Sequence, residues 1–158
     1  MQVEISTECR KMFGRYRILL FSLLFVLIPV ACAAKMVSIA NDEVHLRTGP
    51  SLKNEVKWIL GEGFPLQVIK SQGKWLKVKD FENDVGWVYA TLTRSTPHMI
   101  VKKKLVNIRS GPGEKYKVTG QARYGVVFRT LERTKYWVKV KHESGKTGWV
   151  ARKLLWGW

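Results

Sequence analysis

Val44-His45-Leu46-Arg47-Thr48-Gly49-Pro50 returns as Val106-Asn107-Ile108-Arg109-Ser110-Gly111-Pro112, 62 positions further on. The same offset carries Lys74-Trp75-Leu76-Lys77-Val78-Lys79 onto Tyr136-Trp137-Val138-Lys139-Val140-Lys141. It also carries Gly86-Trp87-Val88 onto Gly148-Trp149-Val150. No gap is needed from Val44 to Leu154, and 15 of the 49 aligned pairs are identical. A fixed period with identities on Gly, Pro, Trp, Val and Lys marks a duplicated structural unit. The polar, proline-containing stretch Ser95-Thr96-Pro97-His98 is the expected linker.

Within each unit the pattern has a period of two. Leu76 and Val78 alternate with Trp75, Lys77 and Lys79, and Val138 and Val140 alternate with Trp137, Lys139 and Lys141. That is the signature of a half-buried strand, with the apolar set inward. Phe64 to Ile69 and its copy, Val126 to Leu131, read as a further strand. Gly, Asn and Ser clusters punctuate the gaps, and no window shows a helical stripe. The fold expected is therefore all-β, two small antiparallel barrels in tandem over 35–95 and 100–158.

Ahead of the repeats, Arg10, Lys11, Arg15 and Arg17 precede an uncharged run of 17 residues, Ile18 to Ala34, that includes Ala31-Cys32-Ala33. A positive flank, an apolar run and a small-x-small exit describe a signal peptide over 1–33, cleaved after Ala33. The alternatives are an uncleaved anchor, which would be the one membrane contact, and a lipidated Cys32 with Pro29 in the place usually held by Leu. All three put the repeats in the periplasm or otherwise outside the cytoplasm. Both cysteines, Cys9 and Cys32, lie in the removed part. The mature chain is then left without a disulfide, a thiolate metal site or a cysteine nucleophile.

The opening motif with Arg, Ser or Thr, Gly and Pro, the Trp-x-Lys-Val strand and the closing Gly-Trp-Val resemble the bacterial SH3-like (SH3b) domain family. The resemblance covers roughly 44–94 and 106–156. It implies a five-stranded, SH3-like β-barrel in each half. It also implies an envelope setting, with peptidoglycan or an envelope protein as the partner.

Motifs for chemistry fail on inspection. Gly145-Lys146-Thr147 lacks the leading glycine of a phosphate loop, since Val140 stands there. His142-Glu143 would need a second histidine where Lys146 stands, and Gly111-Pro112-Gly113 meets Tyr116 in place of a third glycine. His45, His98 and His142 read as surface histidines, and Asp80, Glu82 and Asp84 as one solvated acidic turn. The expectation is a non-enzymatic chain with no metal and no cofactor.

The chain holds 28 Lys+Arg against 12 Asp+Glu. Residues 35–95 hold nine basic and seven acidic side chains, and 96–158 hold fifteen and three. An anionic surface is the natural counterpart of so one-sided a charge. Export and the lack of a patterned basic–aromatic motif argue against nucleic acid. An outward indole beside lysines can stack on a sugar or peptide while the ammonium groups meet carboxylates. The candidate ligand-binding residues are Trp75, Lys77, Arg109, Arg129, Trp137, Lys139 and Lys141. Arg47 and Arg109 have a competing role, bonding carbonyls of their own loops. Trp87 and Trp149 are expected in the cores. Trp156 and Trp158 either cap the barrel, dock on the first unit or meet a membrane surface. The function expected is binding of anionic peptidoglycan through the second barrel. The alternative is an adaptor that docks extended or proline-containing segments of an envelope protein.

Overall fold

The computed structural model describes residues 35–158, and the signal-peptide reading with its cleavage and lipidation sites lies outside them. Among the described residues there is no α-helix, and so none long and apolar enough to cross a membrane. The first half forms β1 (Met36–Ile39), β2 (Val44–Arg47), β3 (Val56–Leu60), β4 (Pro65–Gln72), β5 (Trp75–Lys79), β6 (Val85–Tyr89) and β7 (Thr93–Arg94). The second half repeats them as β8 (His98–Val101), β9 (Leu105–Arg109), β10 (Val118–Arg123), β11 (Val127–Arg133), β12 (Trp137–Lys141), β13 (Thr147–Ala151) and β14 (Leu155–Gly157). A single 3₁₀ turn, Ala90–Leu92 or Arg152–Leu154, precedes the last strand of each half.

The two sheets have the same antiparallel order, β3-β2-β6-β5-β4-β1-β7 and β10-β9-β13-β12-β11-β8-β14. Each half thus has seven strands where five were expected. The added ones are short: β7 has two residues, and β1 is buried at three consecutive positions, so neither shows an alternating pattern. Even the irregularities repeat. The register of β4 on β5 shifts between Val68 and Lys70, and that of β11 on β12 shifts at the matching Thr130 and Glu132. Such bulges bend a strand and sharpen its twist, which helps a small sheet wrap onto itself.

Each sheet encloses its own core. Val37, Ile39, Val44, Leu46, Leu60, Leu66, Leu76, Val78 and Val88 fill the first. Met99, Val101, Val106, Ala122, Phe128, Val138, Val140, Val150 and Leu155 fill the second. Where the copies differ, volume is traded: Leu60 becomes the smaller Ala122, while Leu66 becomes the larger Phe128. Cores tolerate substitution when total volume is kept.

The opening glycines serve close packing. Neither Gly49 nor Gly111 has a positive φ. A Cβ on Gly49 would come within 2.7 Å of the Asn54 side chain, and one on Gly111 would collide with the Tyr116 ring. The loop folds back over its own glycine, a closer approach than any other residue allows.

The expected linker runs from an exposed Ser95 through half-buried Thr96 and Pro97 into a joint where only its last residue, His98, is buried. His98 is 7% exposed and begins β8, so the surface reading of this histidine is corrected. Ser38 Oγ donates to the Thr96 carbonyl at 2.7 Å, and His98 Nδ1 lies 3.0 Å from the same oxygen. A carbonyl can only accept, so Nδ1 carries the proton. Burial, followed by the charges of Arg94 and Arg129, lowers the His98 pKa. The Thr96 bond and Glu62 oppose it. The Thr130 amide bonds the Pro97 carbonyl at 2.9 Å, Tyr124 donates to Glu82 across the halves, and the rings of Phe81 and Tyr124 lie 5.3 Å apart.

The acidic turn is also not simply solvated. Asp80 is 5% exposed, and its Oδ1 accepts the Glu82 and Asp84 amides at 2.9 Å each. Desolvation by burial raises its pKa, against those two bonds.

Candidate functional site

The alternation in β5 and β12 sends Trp75, Lys77, Trp137 and Lys139 to the outer faces of the two sheets, opposite the buried Leu76, Val78, Val138 and Val140. Register then decides the neighbours. Lys139 stands opposite Trp149, which stands opposite Arg109, and Lys141 stands opposite Arg129. Lys77, Trp87 and Arg47 form the same row in the first barrel.

This corrects one expectation. Trp87 and Trp149 belong to neither core cluster. They share the outer face with the lysines opposite them. Trp87 is buried there rather than inside the barrel, and it is covered by Lys70, whose Nζ lies 5.3 Å from the ring centroid. A cation over an indole face shields it from water while keeping the charge hydrated.

Arg109 is committed within its own barrel. One of its guanidinium nitrogens donates to the Glu114 and Tyr116 carbonyls at 2.8 and 2.9 Å. Arg47 bonds the Asn54 carbonyl in the equivalent loop at 2.8 Å. Both arginines therefore pin the loop behind the Gly-Pro turn.

The seven candidate residues do not meet at one point. Trp75 and Lys77 belong to the first barrel. Arg129 and Lys141 lie at the end of the second face nearest the joint, lining a cleft of about 570 Å³ with Glu62 and His98. Lys139 lies midway. Trp137 is at the far end, about 13 Å along β12 from Lys141 at ordinary strand rise.

Trp137 lines a separate cleft of about 540 Å³, with Glu114, Lys135, Tyr136, Arg152 and Lys153 around it. A smaller cleft beside Trp75, about 230 Å³, shares with it only the positions of Leu52, Trp75 and Tyr89, and its other walls include Asp42, Glu43 and His45 on the opposite side. There the Tyr89 ring meets Trp75 edge-on at 5.2 Å between centroids. In the second copy Ala151 takes that position and leaves the indole without its partner. Sequence reading missed Tyr136, Arg152 and Lys153 because they differ between the copies, and attention went to what repeats.

Trp156 and Trp158 dock toward the first barrel. They line a cleft of about 710 Å³ with Lys35, Met36 and Gln67 of that barrel and Arg133 and Arg152 of their own. Among the described residues the ion pairs are Lys57–Asp84 and Arg94–Glu62, both in the first half. None of the fifteen cations of 96–158 has a carboxylate within ion-pair reach. No group of His, Cys, Asp and Glu suited to a metal ion occurs among the described residues.

Comparison with known proteins adds three findings. A curated protein of Bacillus subtilis (strain 168), "Putative N-acetylmuramoyl-L-alanine amidase YrvJ", is 26% identical over 137 residues, which are 80% of this chain and 26% of that protein. The chain thus spans about a quarter of the length of this relative. An NlpC/P60 family protein from Bacillus cereus ATCC 10987 has a TM-score of 0.37 at 15% identity, over 77% of this chain and 56% of that one. NlpC1 from Trichomonas vaginalis gives 0.36 at 11%, over 77% and 45%. At these TM-scores the structural likeness carries no argument. The curated similarity overturns the expectation of a chain set apart from enzymes. A protein sharing most of this chain's length bears a hydrolase name, so missing nucleophile and carboxylate motifs do not separate this chain from hydrolases. The family model described as bacterial SH3 domain matches twice, over residues 40–95 and 102–157, and the chain belongs to that family.

Proposed function

We propose that this chain is an extracytoplasmic, cell-wall-associated binding protein. In this reading residues 1–33 direct export, and 35–95 and 100–158 are its two modules. The second module meets anionic peptidoglycan through Trp137, Lys139, Lys141 and Arg129, with Trp75 and Lys77 as the weaker counterpart. Arg109 contributes by holding its loop. The observation that carries the reading is the set of fifteen unpaired cations in 96–158 on a barrel whose outer face also bears indoles. Unpaired charges repel one another and lower stability, and an anionic surface relieves that. The relative's name sets that protein at N-acetylmuramoyl-L-alanine, a wall linkage, which supports the wall as partner. The test is sedimentation with purified sacculi over a salt series. Retention at low salt should fall steeply by roughly 0.5 M, where the Debye length is about 4 Å. Salt-insensitive retention, or none, refutes the reading.

A second reading, docking of an extended segment from an envelope protein, has its own support. Among the described residues β3 pairs only with β2, so it is an edge. Trp58 is 53% and Ile59 64% exposed on it, while β10 carries Gly120 and Gln121 at the matching positions. An open, apolar edge is a template for strand addition. Crosslinking from position 59 in the envelope tests it, and a blank result together with sacculus binding removes it.

A further inference from the structure

The two copies act as an internal comparison, because one backbone carries two sets of side chains. Ala40-Asn41-Asp42-Glu43, the loop after β1, becomes Lys102-Lys103-Lys104-Leu105 after β8, and Gly61-Glu62 becomes Arg123-Tyr124 at the end of β10. Three negative charges give way to four positive ones. The net charges of 35–95 and 96–158 are +2 and +12, so this reversal supplies seven of the ten units between them. The outer sheet faces, by contrast, are matched: Arg47, Lys77 and Lys79 in one copy answer Arg109, Lys139 and Lys141 in the other. Most of the asymmetry therefore sits in one loop and the strand end beside it.

Folding does not call for this change. In the first copy the Asp42 carboxylate accepts the Glu62 amide at 3.0 Å. In the second the Lys104 carbonyl accepts the matching Tyr124 amide at 3.2 Å, which leaves the Lys104 side chain without a structural task. The Lys102 amide bonds the Leu154 carbonyl at 3.1 Å, so the loop is fastened at both ends. Lys102, Lys103, Lys104 and Arg123 are all exposed, and among the described residues none has a carboxylate within ion-pair reach. Leu105 makes the patch amphipathic. It stands opposite Arg123, and the next pair, Val106 with Ala122, is buried, so alternation turns Leu105 and Arg123 outward together. Leu105 is 52% exposed where the first copy carries the charged Glu43.

We infer that Lys102, Lys103, Lys104, Leu105 and Arg123 dock the second barrel on an anionic lipid bilayer. This goes beyond the cell-wall reading and does not rest on it. The cations meet headgroup phosphates, and the Leu105 side chain reaches the acyl boundary below them. A leucine set among four fixed cations suits a surface that is anionic outside and apolar just beneath. A phosphate-bearing polymer in water would use the cations and leave the leucine idle. Each cation close to an anionic leaflet strengthens contact about fivefold, so four give a preference of about 600-fold over a neutral leaflet. The first copy's loop, with Asp42 and Glu43, is repelled by the same surface.

The experiment mixes the chain with phosphatidylcholine nanodiscs, with and without phosphatidylglycerol, that carry a nitroxide on a lipid headgroup. Paramagnetic broadening of backbone amides is read by NMR. The expected result is broadening at 102–105 and 123 in the phosphatidylglycerol discs and little at 40–43. It should vanish in pure phosphatidylcholine and at roughly 0.5 M salt. Two loops of one molecule are compared, so the readout holds whether residues 1–33 are removed or lie in the bilayer. Lys102→Ala, Lys103→Asn, Lys104→Asp and Leu105→Glu together install the first copy's loop. That variant should fold, because the matching backbone already carries those residues at 40–43. It should weaken contact about a hundredfold or more and abolish the broadening. Leu105→Ser alone should weaken contact about tenfold. Equal broadening of the two loops, broadening without phosphatidylglycerol or in the loop replacement, an unchanged Leu105→Ser variant, or no broadening at all overturns the inference. So does a soluble glycerol-phosphate polymer that shifts 102–105 while the discs leave them unmoved, a result that assigns the patch to a polymer.

Discussion

Gly63 and Gly125 occupy the same position in the two repeats and have nearly the same backbone, with φ of +79° and +81°. Their surroundings differ. A Cβ on Gly125 would meet nothing within 4 Å, whereas one on Gly63 would come within 2.9 Å of His98 Cδ2 at the joint. Alanine at Gly125 should therefore cost only the left-handed backbone penalty, about 1–2 kcal/mol. Alanine at Gly63 should cost that and a further overpacking cost of about 1–3 kcal/mol, because His98 is buried and hydrogen-bonded and has little room to yield. At roughly 3–6 °C per kcal/mol for a domain of this size, thermal melts followed by circular dichroism at neutral pH resolve the two. The double variant Gly63→Ala, His98→Ala should recover part of the excess, as expected for residues in contact. Equal losses at the two glycines would refute the joint as a packed interface between the barrels.

Lys139→Glu with Lys141→Glu should lower sacculus retention about tenfold or more at low salt, and far less at 0.5 M. Circular dichroism should show a retained fold, because the new carboxylate at position 141 would face Arg129 across the strands. The His98 pKa is lowered in the fold, so the stability it contributes is present above its ordinary value of 6.5 and lost as pH falls through the lower folded value. Melting temperature should therefore decline on acidification below 6.5, and His98→Asn should remove that component. The Tyr124 phenol is pushed up to about 12, first by its hydrogen bond to Glu82. Ultraviolet titration of Glu82→Gln against the parent should show one tyrosine returning toward 10. Any stability from that bond is present below 10 and lost as pH rises toward 12.

The barrels were legible because strand alternation and a fixed offset are both written into neighbouring residues. Leu76, Val78, Val138 and Val140 point inward as read, and every strand returns 62 positions on. Trp87 was misread because hydrophobic character does not say which side of a sheet a residue faces. Only its register opposite Lys77 does. His98 looked like linker because Ser, Thr and Pro precede it, and only the fold brings Ser38 to its ring. The site was less legible. The lysines of the face could be picked from alternation, but the cleft at Trp137 depends on Ala151 standing where Tyr89 stands, a difference that a search for likeness passes over.

Only residues 95–97 separate β7 from β8, and the carbonyl of one of them, Thr96, is shared by Ser38 of the first barrel and His98 of the second. A tandem joined by a flexible tether samples many separations and accepts any target that can be spanned, at an entropic cost on the second contact. This pair has settled that cost during folding. Under the proposed wall binding, the two outer faces act as a gauge with one spacing: an anionic polymer that repeats at that spacing would gain avidity, and one that repeats at another would engage a single barrel.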